Sequence, residues 1–230
     1  MISFKALGAL LHYPSAELQQ AVPEIVQALR EEAKLPRSLL DAVCRFAAEI
    51  AEGDLLEVQE RWVWLFDRSR RLALHLHEHS YGESRDRGQA MVDLAMAYRL
   101  HGFELASSET PDYLPLFLEF LSQIPEAPAR RYLSDATDII EALRIRLAER
   151  DSPYTILLEA VLAFSGRPAN EEEVEAILTS EPEDPQDFEQ LDRQWAEEAV
   201  EFSAGSALGS CPMAGGMARE RAAALADSGV

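Results

Sequence analysis

Two neighbouring stretches decide how this chain is read. The first is Leu74-His75-Leu76-His77-Glu78-His79-Ser80-Tyr81-Gly82-Glu83-Ser84-Arg85-Asp86-Arg87-Gly88, which runs into a helical pattern through Met91, Leu94, Ala95 and Tyr98. The second is Glu109-Thr110-Pro111-Asp112-Tyr113-Leu114-Pro115, which opens the apolar run Leu116-Phe117-Leu118-Glu119-Phe120-Leu121. Apolar residues recur at three and four, the spacing of helices with one buried side. Polar residues packed between such helices either cap them or contact something outside the fold. Ser84 is a natural N-cap and Gly102 a natural stop for the helix between them. Pro111 is expected to begin the next helix, which Pro125 and Pro128 close off.

Working outward, the same period continues almost everywhere. A short helix over about Ser3 to His12 stops at Tyr13-Pro14, and Ser15 caps a second through Leu18, Val22, Ile25 and Leu29, with Pro23 inside its pattern. Pro36 opens a third that ends at Gly53, and Asp54 with Glu57 reads as a capping-box variant for a fourth holding Trp62, Val63 and Phe66. After the basic turn Arg68-Ser69-Arg70-Arg71 comes the helix of the three histidines. Downstream, one long amphipathic helix is expected through Tyr132, Leu133, Ala136, Ile139, Ile140, Leu143 and Leu147. Ser152-Pro153 starts another, Asn170 a short acidic one, and Phe188 to Phe202 a last one with Leu191, Trp195 and Ala199 on one face. No internal repeat is visible. The expectation is an all-α, compact single-domain bundle of about nine or ten helices over 1–202, followed by a Gly/Ser/Ala-rich tail, 203–230, expected to be disordered.

At 230 residues and 47% apolar content the chain can fill one sizeable core. Its formal net charge of -20 argues against nucleic acid or an anionic membrane as partner and favours a basic one. The charge is uneven, because residues 171 to 201 hold 13 acids against the single base Arg193. That acidic run is most simply a solvated face. Cys44 and Cys211 offer neither metal-ligand spacing nor a disulfide framework, which fits a reducing compartment. Lys5 followed by Ala6 to Leu11 looks faintly like a signal peptide but is too short and lacks a cleavage site. No stretch approaches a membrane span. The expected location is the cytoplasm, with no direct membrane insertion.

Three constellations could carry chemistry. His75 and His79, four apart, would share a helix face and could hold a metal if a third ligand arrived from elsewhere; such histidines are more often groove-edge or hydrogen-bonded core residues. Arg85, Asp86 and Arg87 sit just inside a helix start, where free N–H groups could bind an anion, yet the glycine-rich loop of a nucleotide site is missing. There the simpler reading is that Asp86 caps and the arginines pair with nearby acids. In Glu109-Thr110-Pro111-Asp112, a helix start accounts for Pro111 and Asp112 but not for Glu109, or for Tyr113 and Pro115 that follow.

Taken together, Tyr13-Pro14, Phe66-Asp67, the run from His79 to Leu94 and Pro111-Asp112-Tyr113-Leu114-Pro115 resemble the NarJ-type chaperones of respiratory nitrate reductase. These are also called nitrate reductase delta subunits or molybdenum cofactor assembly chaperones, within the wider TorD-like group. The similarity covers roughly residues 1 to 202. The resemblance implies an all-helical fold and no catalysis. It implies a cytoplasmic escort that binds the nitrate reductase catalytic (alpha) subunit, chiefly through its N-terminal segment, and holds it off the membrane until the molybdenum cofactor is inserted. It implies no tightly bound cofactor in the chaperone itself, and leaves nucleotide binding and contact with molybdenum cofactor biosynthesis proteins open. The family's acidic-Pro-Asp-His motif falls on Glu109, Pro111, Asp112 and Tyr113, with Tyr113 where His is usual. A tyrosine keeps a hydrogen-bonding tip but does not titrate near neutrality. The residues expected to meet the partner are His75, Glu78, His79, Tyr81, Arg85, Asp86, Arg87, Glu109, Pro111, Asp112, Tyr113 and Leu114.

Overall fold

The computed structural model describes residues 1–81, 85–105 and 109–180, apart from the side chains at 80, 81, 85 and 86. The Gly82 to Ser84 turn with its N-cap, the helix expected over 188–202, the tail from 203 and the boundary at 202 lie outside the described residues. Within them the chain forms eleven α-helices, a 3-10 turn at Arg70–Leu72 and no strand. The helices are α1 Ile2–Leu11, α2 Ala16–Glu32, α3 Arg37–Glu52, α4 Leu55–Phe66, α5 Leu76–Tyr81 and α6 Arg85–Leu100. The rest are α7 Leu114–Gln123, α8 Glu126–Asp135, α9 Thr137–Glu149, α10 Thr155–Leu162 and α11 Glu171–Ser180.

Local chemistry sets most of these boundaries. Ser15 accepts a hydrogen bond from the Leu18 amide and Asp54 accepts from the amides of Leu56 and Glu57, filling donors that a helix start leaves open. Asn170 does the same for Glu172 ahead of α11. Pro23 lies inside α2, which continues past it. Pro125 precedes α8, and Pro128 falls in that helix's first turn, where a missing N–H costs little. Pro125 thus closes α7, which ends at Gln123 with Ile124 extended, and the pair also opens α8. The single helix expected through Ala136 is two, because the Ala136 amide bonds to the Leu133 carbonyl in a tightened turn and the Thr137 hydroxyl donates to the same oxygen. This break helps make the helices more numerous than nine or ten.

Helix α1 lies at the centre. It packs on α7, α2 and α10, and Phe4, Leu7, Leu10 and Leu11 are fully buried. Each such side chain contributes roughly 1.5 to 3 kcal/mol on burial. Gly8 lets α1 and α7 close together, since a Cβ there would stand 2.9 Å from the Pro115 carbonyl oxygen and 3.2 Å from the Leu118 Cβ. Glu32, from the end of α2, accepts from the amides of Ile2 and Ser3 and so caps α1 from another helix. Phe4 meets Phe164 edge-on, and Tyr154 does the same with Phe46 and Phe66, tying α10 to α3 and α4.

Candidate partner-binding site

The loop 109–113 does not run straight into α7. It turns back on the segment ahead of α5, where His75 and Tyr113 form an antiparallel bridge and the Leu114 amide donates to the Leu74 carbonyl at 2.7 Å. Helix α5 begins at Leu76 and takes a cap from outside its own sequence. Asp112 supplies one from 35 residues away: its backbone carbonyl accepts from the Leu76 amide at 3.1 Å, and its carboxylate accepts from the His77 amide at 3.0 Å. Pro111 accordingly stays in the turn and Pro115 takes the first turn of α7, a correction to the expectation that Pro111 begins that helix. The Tyr98 hydroxyl on α6 donates to the Pro111 carbonyl at 2.7 Å and holds the turn from behind.

The Asp112 side chain is completely enclosed. Burial pushes its carboxyl up, but the His75 imidazole, the Thr110 hydroxyl and the His77 amide outweigh it and hold the group at about 2. Thr110 donates to one carboxylate oxygen, and His75 Nδ1 stands 3.0 Å from the Thr110 hydroxyl and 3.7 Å from that same oxygen. In return, the Asp112 carboxylate raises His75 against the opposing effect of burial. His77 moves the other way: burial lowers it and Arg87 adds to that, while Asp112 opposes. A carboxylate with this many internal partners positions its neighbours. Its oxygens are spent on the loop rather than shown to solvent.

Glu109, three residues before Asp112, does reach the surface. Glu109 and Tyr113 line a groove of about 390 Å³ between α1 and α7, with Gly8, Ala9, Pro115 and Leu116 on its floor and Lys5 and Glu119 at its rim. Tyr113 is only 7% exposed, its ring lying 5.2 Å from His75 and 5.9 Å edge-on from His12. Burial, with Glu109 adding to it, pushes the Tyr113 phenol well up, so it meets the groove as a neutral hydroxyl. Tyr13 continues the aromatic wall and is itself held edge-on against Trp62. Lys5 pairs with Glu119 at 3.6 Å. The arrangement is a mostly apolar trough lined by Tyr113, with carboxylates along its lip.

The structure disperses the sequence-predicted residues. Glu109 and Tyr113 share the groove, while Pro111, Asp112 and His75 build the loop beneath it. His79 belongs to a separate knot. It is buried, its Nε2 donates to the Ala73 carbonyl at 2.7 Å, and its Nδ1 accepts from Arg146, whose guanidinium also reaches the carbonyls of Arg71 and Ile177. His75 precedes α5, so the two histidines do not share a helix face as expected, and among the described residues no group of three or more His, Cys, Asp or Glu is arranged to hold a metal. Leu114 is fully buried in the core, which removes it from any surface. Glu78 accepts from Arg87 at 2.9 Å across α5 and α6, a pairing of that arginine with a nearby acid. The side chains of Tyr81, Arg85 and Asp86 lie outside the described residues.

Lys5, Gly8, His12 and Glu119 also line the groove and do not stand out in the sequence. Only the missing Cβ at Gly8, within the apolar run Ala6 to Leu11, signals a close approach there. Among the described residues no helix is long and apolar enough to cross a membrane.

Comparison with known proteins agrees with the motif. Residues 14–158 match the family model described as nitrate reductase delta subunit. The nitrate reductase molybdenum cofactor assembly chaperone NarJ of Escherichia coli (strain K12) is 39% identical over 91% of this chain and 88% of its own length. The probable nitrate reductase molybdenum cofactor assembly chaperone NarW of the same strain is 38% identical over 86% of this chain and 82% of its own. The probable chaperone NarJ of Bacillus subtilis (strain 168) is 30% identical over 70% of this chain and 87% of its own length. A buried Asp112 loop, a helical core around α1 and matches of this extent lead to one conclusion: the chain belongs to the nitrate reductase delta subunit family.

Proposed function

We propose that this chain is a cytoplasmic assembly chaperone for respiratory nitrate reductase. It binds the N-terminal segment of the catalytic subunit and keeps that subunit competent for molybdenum cofactor insertion before it reaches the membrane. It performs no catalysis and holds no cofactor tightly. The names of its relatives support the client and the task. The observation that carries the binding site is that exposed Glu109 and the buried ring of Tyr113 both line the α1/α7 groove while Asp112, between them in the motif, is consumed in fixing the loop.

The physical mechanism follows from the groove. An amphipathic client helix lays its apolar side on Ala9, Pro115 and Leu116, and its basic residues meet Glu109 and Glu119 at the lip. Burying each large apolar anchor contributes roughly 1.5 to 3 kcal/mol, whereas each exposed ion pair adds only about 0.2 to 1 kcal/mol. Apolar contact therefore supplies affinity, and the -20 net charge speeds and orients encounter.

Calorimetric titration with a synthetic copy of the client's N-terminal segment, beside a scrambled control, tests the reading. Saturable binding of the native peptide alone is expected, weakened by Tyr113→Ala and by Glu109→Lys. It should survive in part at about 1 M salt, where screening acts within roughly 3 Å. Complete loss at that salt, or equal binding of the scrambled peptide, would contradict it.

A further inference from the structure

Helix α6 presents a second surface that the α1/α7 groove does not use. Of the seven large apolar side chains that the described residues expose, three stand on α6: Val92, Met96 and Leu100, the last 81% exposed. They recur at four and so share one outward stripe. On the adjoining face, Ala90, Leu94 and Ala97 form one wall of a groove of about 300 Å³, completed by Leu76 of α5, Phe117 of α7, Tyr132 of α8 and Ile139 of α9. Two exposed carboxylates stand at its edges, Asp93 on α6 and Asp135 at the end of α8. Asp93 borders both the groove and the outward stripe.

The attachment of α6 explains why this surface is open. Its C-terminal end is anchored by aromatic packing, with Tyr98 stacked 4.2 Å from Phe120 and with Phe103 and His101 around the same ring. Its N-terminal half rests on α5 through Arg87 and Glu78. The helix is held firmly at both ends and left uncovered between them.

We infer that the α6 groove is a second docking site, for a cationic amphipathic helix of a partner protein. The apolar floor takes the partner's apolar stripe, and Ala90, Ala97 and Ala136 let a helix backbone come close. Asp93 and Asp135 sit where the Lys or Arg flanks of such a helix fall. A second copy of this chain is the poorer occupant, because each copy carries a formal charge of -20. The inference is independent of the α1/α7 reading, since no residue lines both grooves.

The test places an environment-sensitive dye on Val92→Cys in the full chain, with Cys211→Ser; the remaining Cys44 is buried. An 18-residue Leu/Lys helical peptide is titrated in, beside a Leu/Glu counterpart of equal length. The Leu/Lys peptide shifts the dye emission saturably, and Asp93→Lys with Asp135→Lys raises its midpoint about tenfold while admitting the Leu/Glu peptide. Glu109→Lys, in the other groove, leaves the midpoint unchanged. The inference is overturned by an unmoved dye, by equal response of the wild-type surface to the Leu/Glu peptide, or by a midpoint that follows Glu109→Lys instead. Sedimentation that reveals a dimer broken by Met96→Glu would also overturn it, by naming a second copy as occupant.

Discussion

Helices α1 and α6 are both rich in apolar residues and face opposite fates. Helix α1 buries Phe4, Leu7, Leu10 and Leu11 completely and is clasped so closely that Gly8 meets the backbone of α7. Helix α6 buries Tyr98 and Ala97 but leaves Val92, Met96 and Leu100 in solvent. The loop 109–113 joins these two regions: Asp112 locks α5, Tyr98 of α6 holds Pro111, and Tyr113 turns into the trough beside α1. Apolar surface on α1 makes the fold, and apolar surface on α6 is left for something else. Composition alone does not separate the two.

Substitutions break or sharpen this contrast in order of size. Phe4→Ala, which empties a buried site against Phe164, should cost about 3 to 5 kcal/mol in urea unfolding. Gly8→Val should follow, at about 1 to 3 kcal/mol, because a side chain there has no room before Pro115 and Leu118. A Gly8→Val protein as stable as the parent would show that the α1/α7 seam is looser than described. Asp112→Ala comes next: it strips the cap from the His77 amide and should lower stability by about 1 to 3 kcal/mol, with a client-binding loss that Glu109→Lys, at an exposed position, shows without the loss of stability. Met96→Glu on α6 should stay within about 0.5 kcal/mol of the parent.

The polar knot also predicts a pH dependence. Asp112 titrates at about 2 in the fold, below its usual carboxylate value, so its contribution is present above about pH 4 and is lost as pH falls through 2. His75 is raised, so the stability it adds is full below about pH 6.5 and disappears as pH rises through its elevated value. Urea midpoints measured across pH should lose the first dependence in Asp112→Asn and the second in His75→Gln. Unchanged profiles in both variants would remove the carboxylate and the imidazole from the stability account.

How much was legible in the sequence depended on how far each residue's partner lay along the chain. The caps at Ser15, Asp54 and Asn170 act on amides two or three residues away, and their residue types reveal them. The start of α5 is hidden because its cap comes from Asp112, and His75 therefore reads as helical when it is extended. The break at Ala136 is hidden for a different reason: the apolar period from Tyr132 to Leu147 passes through it, and only the Thr137 and Ala136 bonds to Leu133 expose it. A motif singles out Glu109 and Tyr113, which line the groove. The opposite wall, with Lys5, Gly8 and His12, is a hundred residues away, and only Tyr13-Pro14 beside it belongs to the motifs.

The most direct test of the α1/α7 site is site-specific photo-crosslinking of the client's N-terminal peptide to the intact chain. A photoreactive residue in place of Glu119, on the groove lip, and one in place of Lys34, outside both grooves, give the comparison. The account predicts an adduct from position 119 that the unlabelled peptide competes away, and none from position 34. An adduct absent from 119, or equally abundant at 34, would contradict it.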